Sequence, residues 1–453
     1  MTHHTIRGGP VTTDVDVAVI GGGIIGLATA HRLLEQQPGS RVAVLERETD
    51  VGRHQSSRNS GVLHAGLYYA PGSAKARWSR AGKPLMERFC AEHGVPFERT
   101  GKVVVAVDTA ELPGLEQLAA RARRNGVEIH HLDADGLREH EPHVDGIAGL
   151  WTPETAVTDF GAVCQALATA IRAAGGEVRT DTEVVDIEQR GELVHLALSS
   201  GGQQASGGQQ ACRDHHSAGI DTRLPDSGPD PANPGGRSGE LTAGVVIACA
   251  GLRADRVAAM TGHRPAARIV PFRGAWLRLR PDRRHLVRGN IYPVPTGGGL
   301  PFLGVHLTRR IDGEVWIGPN AVLGLAREGR TPWSPSLRDL AATLRFPGTW
   351  QLARRHLGVG IGEVWRDRVV SAMVREVQRY VPEIRREDVR RGPWGVRAQL
   401  VAADGSLVED FTIDEGGPGS RVLHVLNAPS PAATSALAIG SELSARAVRR
   451  FPA

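Results

Sequence analysis

Very little in this sequence points to disulfide, metal or membrane chemistry. Its 453 residues include four cysteines, and Cys90, Cys164, Cys212 and Cys249 are too scattered to form a C-x-x-C pair. Reduced thiols in a cytoplasmic protein are therefore expected, with neither a disulfide framework nor a metal site. No apolar run reaches the roughly 18 residues needed to cross a bilayer, and Met1 to Thr13 lacks the apolar core of a signal peptide. Lysine is almost missing as well: of 54 basic residues only Lys75, Lys83 and Lys102 are lysines, and the arginines are spread throughout, nearly matched by 49 acids. Scattered arginine of this kind marks a solvated surface, and aromatics at 4% leave little to stack on bases, so nucleic acid is excluded as a partner. A net charge of +5 still favours anionic substrates weakly, and leaves room for peripheral contact with an inner membrane face.

What is present begins with Asp14 to Ala28. Val15 to Ile20 is short, apolar and mostly β-branched, as a strand buried in a parallel sheet should be, and Gly21-x-Gly23-x-x-Gly26 follows without a gap. Gly21 permits the tight turn, Gly23 lets the backbone approach a pyrophosphate, and Gly26 lets the next helix pack closely on the strand. That helix presents its free N–H groups and positive dipole end to the phosphates. A lone glycine motif is weak evidence, but the rest of the unit follows: Leu27, Ala30, Leu33 and Leu34 at helical spacing, a Pro38-Gly39 stop, and a second strand, Arg41 to Glu46. Glu46 stands about twenty residues beyond Gly26, where a carboxylate can accept from both ribose hydroxyls.

A chain of this length suggests two or three domains, and 41% apolar with 23% charged residues is ordinary for a globular protein. The expected class is α/β. A Rossmann-type dinucleotide-binding domain is assembled from 14–90, 151–265 and 390–453, and a second, α+β substrate domain on a mixed or antiparallel sheet from 91–150 and 266–389. Arg47 to Tyr69 is rich in small residues and polar donors, including Asn59, Ser60 and His64, and reads as ligand-facing. A lone histidine such as His64 is equally well a hydrogen-bonded structural residue. Helices are expected over 74–94, 111–125 and 160–174, with Gly149 to Pro153 a strand returning to the first domain. Val184 sits where backbone could meet an adenine, or is a plain sheet residue. Ser199 to Glu240, dominated by Gly, Ser, Gln, Pro and Asp, is expected to be a mobile surface insertion. The strand ending at Ala250-Gly251 can bring its backbone to the cofactor.

From Ile269 the texture turns to β-strand: Pro271 to Leu277, Ile291 to Pro295, Leu303 to Thr308 and Val315 to Gly318. If the register allows, Arg273, Tyr292 and His306 share one cavity. The segment 338–386 should be helical and cover the sheet's other face. Near the end, Ala428 to Ser435 is a small-residue turn opening a helix from Ala436, a second N-terminus able to face an electron-rich ring.

Several stretches then resemble one family. They are Asp16-x-x-x-Ile-Gly-Gly-Gly-Ile-Ile-Gly26, Asn59-Ser-Gly-Val-Leu-His-Ala-Gly-Leu-Tyr-Tyr69, Pro271-Phe-Arg-Gly274, Phe302-Leu-Gly-Val-His-Leu-Thr-Arg309, Gly318-Pro-Asn-Ala321, Gly395-Val-Arg-Ala-Gln399 and Asn427-Ala-Pro-Ser-Pro-Ala-Ala-Thr-Ser435. Together they resemble the L-2-hydroxyglutarate oxidase/dehydrogenase family, within the wider set of flavoproteins that includes D-amino-acid oxidase and glycine oxidase. The resemblance covers nearly the whole chain, the insertion at 199–240 excepted.

The resemblance implies an FAD enzyme that oxidises (S)-2-hydroxyglutarate to 2-oxoglutarate by hydride transfer to flavin N5, electrons then passing to oxygen, a quinone or another acceptor. Such chemistry needs a base for the hydroxyl proton and cations for two carboxylates. The late Gly-x-Arg motif implies that Arg397 holds a substrate carboxylate, with Arg273 and Tyr292 the next candidates. His306 is the preferred base; the alternative is that His64 takes the proton while His306 binds the far carboxylate. Expected cofactor contacts are Gly21, Gly23, Gly26, Glu46, Arg47, Asn59, Ser60, Val184, Gly251, Ser430, Ala433 and Thr434. Competing readings are an amine or amino-acid oxidase of the glycine-oxidase type, a non-catalytic FAD-binding protein and a nicotinamide-linked dehydrogenase.

Overall fold

The structure is a computed structural model that describes residues 13–200, 239–295, 304–329 and 331–451. Residues 201–238 of the expected insertion, Cys212, the first twelve residues and Phe302-Leu303 lie outside the described residues.

Two large sheets carry the molecule. The first has eight strands, and its centre is parallel: Val15–Ile20 lies between Val42–Leu45 and Gly239–Ala248, and Glu177–Arg179 extends it beyond Val42–Leu45. These strands are nearly continuous apolar runs because both faces are covered. Gly239–Ala248 is long enough to pair antiparallel with Leu193–Ser200 along its first half and parallel with Val422–Asn427 along its second. Leu198 pairs with Gly239, so the chain leaves and re-enters the sheet for the expected insertion at facing positions of an antiparallel pair.

The helices Ile24–Gln36, Phe160–Ala173 and Ala436–Val448 pack on one face of this sheet, burying Leu27, Leu33, Leu167, Ile439 and Leu443 with Val17, Val19 and Val44. The first and last of them meet backbone to backbone: a Cβ on Gly440 would stand 2.7 Å from the Ala28 carbonyl. Gly26 is placed as tightly, since a Cβ there would lie 2.0 Å from the Gly21 oxygen.

The second sheet has nine strands in the order Val322–Leu323, Arg268–Leu279, Val315–Gly318, His306–Arg309, Asn290–Pro293, Lys102–Ala106, Ala148–Thr152, His130–Asp133, with Val389–Val401 pairing along Arg268–Leu279. It is mixed, because Asn290–Pro293 runs parallel to Lys102–Ala106 while its other pairings are antiparallel. Two sequence expectations change here. The strand containing Gly149 to Thr152 does not return to the first sheet but pairs with Lys102–Ala106 and His130–Asp133 in the second. The strand containing Gly395 to Gln399 likewise pairs in the second sheet, and not with the dinucleotide-binding segments in which the sequence places 390–453.

Strand alternation sorts this sheet's residues into two faces. Val103, Val105, Ile291, Leu307 and Ile317 pack with Met373, Val374 and Val377 of the helix Val370–Gln378, so of the 338–386 segment it is the last helix that covers this face. Val104, Ala106 and Tyr292 face the other way and pack with Ala65 and Leu67 of the 47–69 loop. The site is built on this second face, where that loop lies between the two sheets.

Candidate active site

Along the carboxyl edge of the first sheet runs a cleft of about 430 Å³, lined by Gly21, Gly23, Ile24, Glu46, Arg47, Val184, Gly251 and Ala433 among others. Gly21 adopts φ +107°, and a Cβ there would stand 2.6 Å from the Cys249 carbonyl oxygen, so the turn requires glycine. The first turn of the helix Ile24–Gln36 opens onto the cleft; Ser56 Oγ accepts from its Ile24 N–H at 2.9 Å. Glu46 is braced by the N–H groups of Gly22 at 2.7 Å and Glu48 at 2.8 Å, and burial pushes its carboxyl above the usual range. At the rim an ion-pair chain runs from Glu183 through Arg253, Glu328 and Arg47 to Glu48 and His54. The His54 hydrogen bond, with Arg47 adding to it, holds Glu48 down at about 2.

These residues fit FAD. Close-approach glycines and helix N–H groups suit a pyrophosphate, the braced Glu46 suits a ribose, and Val184 and Gly251 wall the same cleft. Other expected contacts are placed differently. Gly26 lies beneath the cradle as a packing residue. Asn59 is occupied by its own loop: its Nδ2 donates to the Gln55 and Ser56 carbonyls and its Oδ1 accepts from Gly61 N–H. Thr434 joins the chain's end to this loop, accepting from His64 N–H at 3.1 Å and donating to the Val62 carbonyl. Ser60 and Ser430 are not among the residues lining the cleft.

On the inner face of the second sheet Tyr292 and His306 stack, ring centroids 4.0 Å apart and 16° from parallel, because their strands are adjacent and in register. His306 Nδ1 lies 3.0 Å from the Gly304 carbonyl, which can only accept; Nδ1 therefore carries the proton and Nε2 is left as an acceptor. Burial, with the charges of Lys102 and Arg397, pulls the His306 pKa down to about 3, so the ring is neutral at any working pH. From behind, the Tyr380 hydroxyl donates to the Val305 carbonyl and steadies the strand. His64 faces the same cluster; burial, with the Lys102 and His306 charges, pushes it well below its usual value, and its Nδ1 has no partner among the described residues.

Arg397 and Arg273 part company here. In the antiparallel pair Arg397 stands opposite Phe272 and Arg273 opposite Val396, so the two arginines project from opposite faces. Arg397 is within electrostatic reach of Tyr292, His306 and Glu363. Arg273 instead donates to Asp367 at 2.7 Å, lies 4.2 Å from the Trp333 ring, and is 4% exposed. The structure does not bring Arg273 to Tyr292 and His306.

Lys102 and Tyr68 join the cluster without having been singled out in the sequence. Lys102 Nζ lies 3.9 Å from the Tyr292 ring centre and 5.2 Å from that of Tyr68, and burial pushes its pKa down to about 7. One signal was available: a rare lysine opens an otherwise apolar strand, Lys102–Ala106, in a chain that otherwise uses arginine.

A family model described as FAD dependent oxidoreductase matches residues 16–446. The chain is 43% identical over 439 residues to the mitochondrial L-2-hydroxyglutarate dehydrogenase of Nematostella vectensis, covering 96% of this chain and 91% of that protein. It is 38% identical to the Homo sapiens protein of that name, covering 97% and 90%, and 37% identical to the L-2-hydroxyglutarate dehydrogenase of Escherichia coli K12, covering 94% and 92%. Among solved structures, FAD-bound L-alpha-glycerophosphate oxidase from Mycoplasma pneumoniae superposes with a TM-score of 0.70 at 21% identity, covering 96% of this chain and 94% of that one. Glycine oxidase from Geobacillus kaustophilus gives 0.69 at 18%, covering 98% and 96%. These two show the fold. With the family model spanning nearly the whole chain and relatives near 40% identical from end to end, this protein belongs to the FAD dependent oxidoreductase family, in its L-2-hydroxyglutarate dehydrogenase branch.

Proposed function

We propose that this protein oxidises (S)-2-hydroxyglutarate to 2-oxoglutarate. The carrying observation is the neutral, tautomer-fixed His306 beside Arg397 on the sheet face against which the 47–69 loop packs, in a chain whose relatives bear the name of that reaction. Bound FAD supplies the hydride acceptor. Arg397 holds the carboxylate next to the reacting carbon with its guanidinium fork. His306 Nε2 accepts the hydroxyl proton, Nδ1 being already committed to Gly304. Its pKa of about 3 rises once the substrate's carboxylates offset the charges of Arg397 and Lys102, so the base strengthens when substrate is present. Tyr292 fixes the His306 ring by stacking, and His64 is the second acceptor facing the same space.

Electrons leave to oxygen or a quinone. Among the described residues no helix is long and apolar enough to cross a membrane. Peripheral contact with an anionic membrane face is supported by Leu337, Trp350, Leu357, Ile361 and Trp365, all more than half exposed on helices that also carry Arg338, Arg345, Arg354 and Arg355. Sedimentation with anionic vesicles, lost on Trp365→Ser with Ile361→Ser, checks that surface. The reaction is tested by adding (S)-2-hydroxyglutarate to the holoenzyme without oxygen. Bleaching of the oxidised-flavin band with (R)-isomer and glycine inert is the expected result. An amine substrate bleaching the flavin instead would move the reading to an amine oxidase.

A further inference from the structure

A cation buried without a counter-charge is costly unless a ligand completes it. Lys102 is 1% exposed, and burial lowers its pKa with no carboxylate among the described residues offsetting it. Its ammonium rests instead on the faces of Tyr292 and Tyr68, which attract a cation. The groups around it are also incomplete. Among the described residues, Thr152, paired across from Lys102, has no partner for its Oγ1; Asn290, alongside in the next strand, has none for its Oδ1; and the Tyr68 hydroxyl has none either. The charges of Lys102 and Arg397 both act on His306, so the base lies within reach of two cations. A dicarboxylate oxidised at the carbon beside His306 needs a second cation, and Arg273 is spent on Asp367 from the opposite face.

We propose that Lys102, lodged between the substrate-facing Tyr68 and Tyr292 rings, receives the far carboxylate of the dicarboxylate and so selects it over 2-hydroxy acids with one carboxylate. This rests on the (S)-2-hydroxyglutarate reading and names the residue that sets its chain-end specificity. Lysine suits the role because its flexible stem lets the ammonium swing from the ring faces onto an arriving carboxylate. The titratable and charged groups facing it are His64 and Tyr68 from the loop, Tyr292 and His306 from the neighbouring strands, and Arg397 beyond His306; His64 and His306 stay neutral and both tyrosines stay protonated at working pH. Of the groups in this cluster, Lys102 is therefore the one that titrates near pH 7. Only its protonated form pairs with the carboxylate, so affinity is full below pH 7 and falls above it.

The test compares wild type, Lys102→Met and Lys102→Arg as holoenzymes, with (S)-2-hydroxyglutarate and (S)-2-hydroxyvalerate as substrates and glutarate as a non-reacting ligand followed through the flavin spectrum. Lys102→Met should lower the kcat/KM ratio of the two substrates roughly 30-fold or more and weaken glutarate by a similar factor, the usual consequence of removing one partner of a buried ion pair. Wild-type glutarate affinity should fall about tenfold per pH unit above pH 7, and Lys102→Arg should flatten that profile. A ratio unchanged in Lys102→Met, both substrates losing equally at full FAD content, or a Lys102→Arg profile like the wild type would each overturn the assignment. If wild type does not oxidise (S)-2-hydroxyglutarate, the reaction has been misread, and glutarate binding alone then decides the role of Lys102. If Lys102→Met does not fold, the Lys102→Arg profile decides it.

Discussion

Replacing Gly26 with alanine adds one carbon where the structure has no room for it. The new Cβ would stand 2.0 Å from the Gly21 carbonyl oxygen, 3.2 Å from its carbon and 3.3 Å from Val19 Cγ1. The first two atoms belong to the cradle's backbone and cannot rotate away, so the helix Ile24–Gln36 must lift by about 1 Å or more. That movement loosens Leu27, Ala30 and Leu33 in the core and withdraws the first-turn N–H groups from the position where a pyrophosphate meets them. Overpacking of this kind costs about 3 kcal/mol, at the upper end of its usual range because the obstacle is backbone. Gly39→Ala is the control: φ there is +89°, but nothing lies within 4 Å of the added carbon, so the cost is the left-handed strain of about 1 kcal/mol. Two measurements suffice, the flavin-to-protein ratio after purification and the urea midpoint by tryptophan fluorescence. Gly26→Ala should lose most of its flavin and unfold well below Gly39→Ala. A Gly26→Ala protein that keeps stoichiometric flavin, with a midpoint equal to the control, would refute the claim that helix and cradle are locked at this point.

The base assignment predicts that His306→Asn slows anaerobic flavin reduction by (S)-2-hydroxyglutarate roughly 100-fold or more at full FAD content, and that His64→Asn slows it less. The reverse order would make His64 the base. Arg397→Met should raise KM roughly 30-fold or more, whereas Arg273→Met should destabilise the fold by about 3–5 kcal/mol by stranding buried Asp367, with KM little changed in whatever folds. A KM defect in Arg273→Met at wild-type stability would contradict the opposite-face placement. Acid should destabilise the protein early. His424 is held down to about 4 and His306 to about 3, both by burial, from an ordinary value of 6.5, so the unfolded chain binds more protons below that value. Their contribution is complete above about pH 6.5 and is lost as pH falls through 4. His424→Gln should flatten the slope of the urea midpoint across that window.

The cradle was legible because its physics is local. An apolar strand, three glycines and an acid at the end of the next strand are neighbours in sequence, and each glycine answers to a clash that can be anticipated from backbone geometry. The histidine pair and Arg397 were legible as residue types, through motifs. What a sequence does not carry is which side of a strand faces which sheet. Arg273 and Arg397 sit on paired strands more than a hundred residues apart, and a one-residue offset in register decides that one reaches Tyr292 while the other meets Asp367. Asn59 shows a related limit: its side chain suits a cofactor oxygen and its own loop's backbone equally well, and the loop takes it. Lys102 was hidden by position, because the first residue of a buried apolar strand reads as its solvent-facing start.

The first sheet also sets a schedule for the ribosome. Its centre is Val15–Ile20, yet the strand Val422–Asn427 and the helix that packs across Ile24–Gln36, Ala436–Val448, are made about four hundred residues later. Nascent chains emerge with the cradle's opening strand and its glycines exposed long before Ala436–Val448 arrives to cover Ala28 and Leu27. An apolar face that waits so long for its partner is a natural client for chaperones, and contacts this distant in sequence fold slowly. A truncation that removes only the closing helix would therefore leave every residue of the glycine motif and the reacting cluster in place on paper, and yield a protein that neither folds nor holds flavin.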